Sequence, residues 1–151
     1  MADEHWVFVI KVQDKPGALT AIASVFSSRG VSLGSSTNTS AEMGSTIVLS
    51  FRATERKKET LFRTLQRLHQ VLQVQAYSYS ARELRAIAIA RIAPEEKTDF
   101  SAKQVQAEII SERGDSKTVL LTGSTQAVDK VVQSLRERGS LQDVVTTVMA
   151  V

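Results

Sequence analysis

Trp6-Val7-Phe8-Val9-Ile10-Lys11-Val12-Gln13-Asp14-Lys15-Pro16-Gly17-Ala18-Leu19 contains a change of hydrophobic period, and that change decides the fold. Up to Val12 the period is two: Phe8, Ile10 and Val12 share one face and Lys11 the other, as in a strand of β-branched and aromatic residues. Beyond the turn-rich Gln13–Gly17 the period becomes helical, with Leu19, Ile22, Ala23 and Phe26 at i, i+3, i+4 and i+7. Such spacing makes an apolar stripe about 100° wide, which suits a helix lying on a sheet. Gly30, after Arg29, is a natural stop, since glycine takes the left-handed conformation without steric cost.

Working outward, Val31 to Thr39 opens as a strand and becomes rich in Ser, Thr and Gly. After a loop around Ala41–Gly44, Thr46–Phe51 alternates, with Ile47, Leu49 and Phe51 opposite Thr46, Val48 and Ser50. Lys57–Gln70 reads as a second amphipathic helix on Leu61, Phe62, Leu65 and Leu68, and Leu72–Tyr79 as a fourth strand. The order is strand, helix, strand, strand, helix, strand. Two crossovers of one hand put both helices on the same side of a four-stranded sheet, the ferredoxin-like arrangement.

The second half repeats the order. Leu84–Ile92 is a strand, Pro94–Phe100 a charged loop, and a short helix is expected around Ala102–Val105. Ala107–Ser111 and Thr118–Thr122 form a hairpin around Arg113-Gly114-Asp115. A helix on Val128, Val131, Val132 and Leu135 ends at Gly139, and Leu141–Val151 is the last strand. The repeat lies in the pattern and not in identical residues. The expected fold is α+β, two βαββαβ units in tandem, residues 1–80 and 81–151. Both faces of the last strand are apolar enough to expect a cover on each, another sheet or a second protomer.

Composition narrows the function. In 151 residues, 42% hydrophobic and 23% charged, the chain is a globular one. No apolar run nears the ~20 residues of a membrane-spanning helix, and Met1–His5 lacks a signal-peptide layout. A cytoplasmic protein with no membrane partner is expected. Without cysteine there is no disulfide, thiolate nucleophile or cysteine metal site, and His5 and His69 stand too far apart in sequence to suggest a metal. The net charge of +3 is spread out: residues 1–80 hold nine Lys/Arg against six Asp/Glu, and residues 81–151 ten against ten. Arg56-Lys57-Lys58, flanked by Glu55 and Glu59, reads as a solvated helix face. Glu95, Glu96 and Asp99 read as a charged loop, and Ser35, Ser36 and Ser40 have no evident base. No catalytic residue, metal or cofactor is expected.

Asp14-Lys15-Pro16-Gly17-Ala18-Leu19, with Ile22-Ala23, Phe26 and Arg29-Gly30-Val31-Ser32-Leu33 after it, resembles the opening of the ACT domain family, in which a D-x-P-G-x-L turn joins first strand to first helix. Two such units in about 150 residues are similar to the small regulatory subunit of acetolactate (acetohydroxyacid) synthase. The resemblance implies feedback control by a branched-chain amino acid, bound where first units of two protomers meet, and a large thiamine-diphosphate enzyme as partner. It places Asp14 at the polar position of the turn, Gly17 at its glycine, and Ser32 at the polar position opening the second strand. The small subunit usually has Asn where Ser32 stands, and Glu and Leu where this chain has Gly34 and Ser36.

The turn has two readings. In one, Asp14, Lys15, Pro16, Gly17, Ala18, Leu19, Ser32 and Leu33 form a ligand-binding site. The N–H groups of Gly17, Ala18 and Leu19 then meet a carboxylate at the positive end of the helix, Asp14 and Ser32 take the ammonium, and Leu33 meets the side chain. In the other, Asp14 caps the helix and Pro16-Gly17 makes the turn. Three functional classes follow: a regulatory subunit of acetolactate synthase, a stand-alone tandem ACT amino-acid sensor acting on another enzyme or regulator, and, least favoured, an RNA-binding βαββαβ module. RNA modules carry stacking rings on their central strands, where this chain has Thr46, Val48 and Ser50. A homodimer or higher homo-oligomer is expected, because an uncovered apolar sheet face invites association.

Overall fold

A computed structural model describes residues 2–13, 17–41 and 44–151. The chain divides into two compact units, Met1–Ala81 with Ala150–Val151, and Arg82–Met149. The first unit runs β1 (Glu4–Val12), α1 (Ala18–Ser28), β2 (Leu33–Ala41), β3 (Gly44–Ala53), α2 (Glu55–Gln66) and β4 (Val71–Ser78). Its strands lie in the order β2-β3-β1-β4. The second runs β5 (Arg85–Ile92), a 3-10 turn (Ser101–Lys103), β6 (Gln106–Arg113), β7 (Ser116–Gly123), α3 (Thr125–Glu137) and β8 (Leu141–Met149), in the order β6-β7-β5-β8. The non-consecutive neighbours in each sheet are the ferredoxin-like crossovers read from the sequence.

The first core sits between the sheet and α1 and α2. Phe8, Ile10, Ile22, Phe26, Leu49, Phe51, Leu61 and Leu65 are all buried in one cluster. Phe8 lies edge-on to Phe51 at 4.8 Å and to Phe26 at 6.2 Å between ring centroids, and Phe26 to Phe51 at 5.0 Å. Edge-to-face contacts of this kind add about 0.5–1.5 kcal/mol per pair beyond burial. At the sheet end, Trp6 donates its indole N–H to the Ala53 carbonyl at 3.0 Å, and the Lys58 ammonium lies 4.5 Å from its ring centre.

The phase of α1 differs from the expected stripe. Ala18, Ile22 and Phe26 are buried, whereas Leu19 is 41% exposed. Measured from Ala18 at 100° per residue, Ala18, Ile22, Val25 and Phe26 fall within an arc of about 100°, Leu19 lies about 20° beyond its edge and Ala23 about 60° beyond. The helix α2 begins at Glu55, because the Thr54 hydroxyl accepts from the Lys57 N–H, and stops at Gln66 to turn into β4.

The second unit is thinner. Its first crossover holds only the turn Ser101–Lys103, because Pro94–Asp99 has no apolar stripe to bury. Phe100 and Val105 plug the core in place of a helix. The strand under α3 is correspondingly slim, with Ala86, Ala88 and Ala90 facing Val128, Val131, Val132 and Leu135. Asp99 accepts from the Ser101 N–H at 3.1 Å and its hydroxyl at 2.6 Å, bonds that hold its carboxyl below the usual range. Glu96 pairs with Arg138 and ties the crossover to the end of α3. On β8, Val148 is buried and Val145 is 72% exposed.

Ser140, at the entry to β8, is buried and its hydroxyl has no hydrogen-bond partner among the described residues. An orphaned buried hydroxyl costs about 1–3 kcal/mol, so removing it should help. Ser140→Ala is expected to raise unfolding stability by about 1 kcal/mol, read as a higher urea midpoint. A drop of that size would show that the hydroxyl is satisfied.

Candidate functional site

Of the residues marked by the sequence, Asp14, Lys15 and Pro16 lie outside the described residues; Gly17, Ala18, Leu19, Ser32 and Leu33 lie within them. Gly17 is the N-cap of α1 with φ +88°, a left-handed conformation in which a side chain is strained by about 1–2 kcal/mol. No atom of the described residues lies within 4 Å of where its Cβ would stand, and its positive φ is what favours glycine there. The other two helices are capped by hydroxyls, Thr54 on α2 and Ser124 on α3; α1 has glycine at its N-cap and no side-chain cap bond among the described residues. The first N–H groups of a helix have no carbonyl of their own helix to meet. Here they are backed by the positive end of an 11-residue helix.

Ser32 and Leu33 lie at the other end of α1. With Phe26, Val31 and Gly30 they line a cavity of about 460 Å³ that carries no charged side chain. One unit does not bring the two ends together. The 11 residues of α1 span about 16 Å. The sheet agrees: Val12 pairs with Ser45, while Trp6 and Leu33 both pair with Phe51, six residues or about 20 Å along β1. A single amino acid cannot touch Gly17 and Ser32 of the same protomer. Leu19, exposed one residue into the helix, leaves an apolar surface beside the Gly17 corner. Its exposure could not be foreseen without knowing where the helix begins.

The remaining candidates have structural employment. Glu96 pairs with Arg138, Asp99 binds Ser101, and Trp6 closes the first core. Among the described residues no three His, Cys, Asp or Glu side chains are gathered as a metal would need. Among them also, no helix is long and apolar enough to cross a membrane. Val48 and Ser50, where an RNA-recognition sheet would present stacking rings, are buried.

Residues 8–73 match the family model described as AHAS small subunit-like ACT domain. Comparison with curated proteins finds no match. Among solved structures, the acetolactate synthase small subunit from Thermotoga maritima superimposes with a TM-score of 0.74 at 19% identity, covering 97% of this chain and 96% of that one. An aspartate kinase from Clostridium acetobutylicum matches with a TM-score of 0.50 at 13% identity, over 90% of this chain and 33% of that one. At these identities the likeness is one of fold. Residues 8–73 thus match the model of an AHAS small subunit-like ACT domain, and the whole chain has a fold like that of the Thermotoga maritima acetolactate synthase small subunit, two ferredoxin-like units in tandem.

Proposed function

We propose that the chain is a non-catalytic regulatory subunit that binds a branched-chain amino acid and modulates a large catalytic partner, acetolactate synthase being the first choice. The first unit, residues 1–80, is the sensing domain. The site forms at a seam between two protomers: the Gly17 corner of one receives the carboxylate, and the Ser32–Leu33 cavity of the other receives the aliphatic side chain. The observation that carries this reading is a helix that starts at a glycine with φ +88°, with an uncharged cavity at the far end of the same helix. The roughly 16 Å between the two ends is why a second copy is needed.

A free amino acid has few heavy atoms, each contributing about 1.5 kcal/mol at most, so micromolar-to-millimolar binding is expected. Regulation then needs a coupling of only about 1–3 kcal/mol between effector and partner. The test is to add the chain to an acetolactate synthase large subunit with and without valine, leucine or isoleucine. Raised synthase activity that becomes inhibitable by one of these is the expected result. Valine binding with no effect on the synthase would move the reading to a stand-alone sensor of another enzyme. Neither binding nor effect would contradict it.

A further inference from the structure

The second unit contains two adjoining cavities, of about 640 and 560 Å³, that share Gln104, Gln106 and Thr122 in their walls. Their outer ends carry opposite charges. Asp99 and Glu108 line the larger cavity, with no basic residue in its wall, and Arg85 lines the smaller, with no acidic one. None of these three has an ion-pair partner among the described residues: Arg85 donates to the Leu84 carbonyl and Asp99 accepts from Ser101. The floor between the poles is amide and hydroxyl, with Leu120 beside it.

Sheet register sets the distance between the poles. Glu108 pairs with Leu120, which pairs with Ile89, and Ile89 stands four residues beyond Arg85 on β5. Four residues along and two strands across put the Arg85 and Glu108 Cα atoms about 17 Å apart. Arg85 turns back to the Leu84 carbonyl; swung out along the groove, it and Glu108 can together cover roughly 10 Å of that, leaving about 7 Å. The α-ammonium and carboxylate of a free amino acid, both bonded to one carbon, are too close together to reach both. The groove runs beside Gln104, the single non-glycine residue with positive φ among those described.

We propose that this groove binds a small molecule with a carboxylate at one end, held by Arg85, and an ammonium several ångströms away, held by Glu108 and Asp99. Gln104, Gln106 and Thr122 hydrogen-bond its middle. The chemistry is that of a diamino acid carrying its second ammonium on the side chain, or of a short peptide. It is a second ligand site, independent of the corner at Gly17.

The test uses the full chain, ¹⁵N-labelled, and 6-aminohexanoate, which carries the two charges at about the required separation. The amides of Gln104, Gln106 and Thr122 are expected to shift on titration. Hexanoate and hexylamine, each lacking one charge, should bind at least about ten-fold more weakly, as each forfeits an ion pair and its hydrogen bonds. Glu108→Gln and Arg85→Gln, both at exposed positions, should each weaken binding by a similar factor at unchanged melting temperature. Lysine and triglycine then separate the two sources: the tighter binder identifies the free diamino acid or the peptide. Gly17→Val should leave the 6-aminohexanoate response intact while removing any response to valine. Unshifted amides with all three zwitterions, or hexylamine binding as well as 6-aminohexanoate, would overturn the proposal.

Discussion

Phe8→Ala is expected to lower the stability of the first unit by about 3–5 kcal/mol, the range for emptying a large aromatic site in a core that cannot collapse. Phe8 is fully buried, and three other rings, Phe26, Phe51 and Phe62, stand edge-on to it. It sits on the central part of β1 and touches residues from both helices, so no single neighbour can move in to fill the gap. The chain has one tryptophan, Trp6, whose indole is bonded to Ala53 within the same sheet. Its fluorescence therefore reports the first unit in a urea titration. A midpoint shift corresponding to less than about 1 kcal/mol would mean that this cluster is not the core of the unit.

The second large effect falls on function. Gly17→Val is expected to abolish the effector response while leaving the chain folded. A β-branched residue is a poor occupant of φ +88°, so the backbone of the cap must rotate and the first N–H groups of α1 turn away. The cost to stability is expected to stay near 1–2 kcal/mol, because the new side chain points into open space. Gly17→Asn is the informative companion, since asparagine tolerates the left-handed region. It should retain the cap geometry and the fold. Valine binding measured by calorimetry should vanish in Gly17→Val; undiminished binding there would remove Gly17 from the site.

Much of this fold can be read from residue spacing, and the places where reading stops have physical causes. The helical stripe in α3 is unambiguous because one face is buried and the other is not; β1 is legible from its β-branched and aromatic run, although Val7 and Val9 are as buried as Phe8 and Ile10. The hydroxyl caps at Thr54 and Ser124 are local features, yet a helix read from its apolar stripe alone starts at Lys57 and passes over the Thr54 cap. The phase of α1 is less so: its stripe depends on the helix starting at Ala18, and that start is set by the cap and not by the apolar residues. The missing helix of the second unit is foreshadowed by Pro94-Glu95-Glu96-Lys97, which has charge and no stripe. The site is only half legible. Sequence marks Gly17 and Ser32 alike, but their placement at opposite ends of one helix is a matter of topology, and one protomer cannot bring both to a single amino acid. The groove at Gln104, Gln106 and Thr122 has no sequence signature, because register across three strands assembles it.

The most direct test of the seam follows the backbone amides of Gly17, Ala18, Leu19, Ser32 and Leu33 in the ¹⁵N-labelled full chain as valine is added. Both groups of amides should shift together along one binding curve, although they lie at opposite ends of α1. Amides that stay still at saturating valine, or a shift confined to the Ser32–Leu33 end, would contradict it.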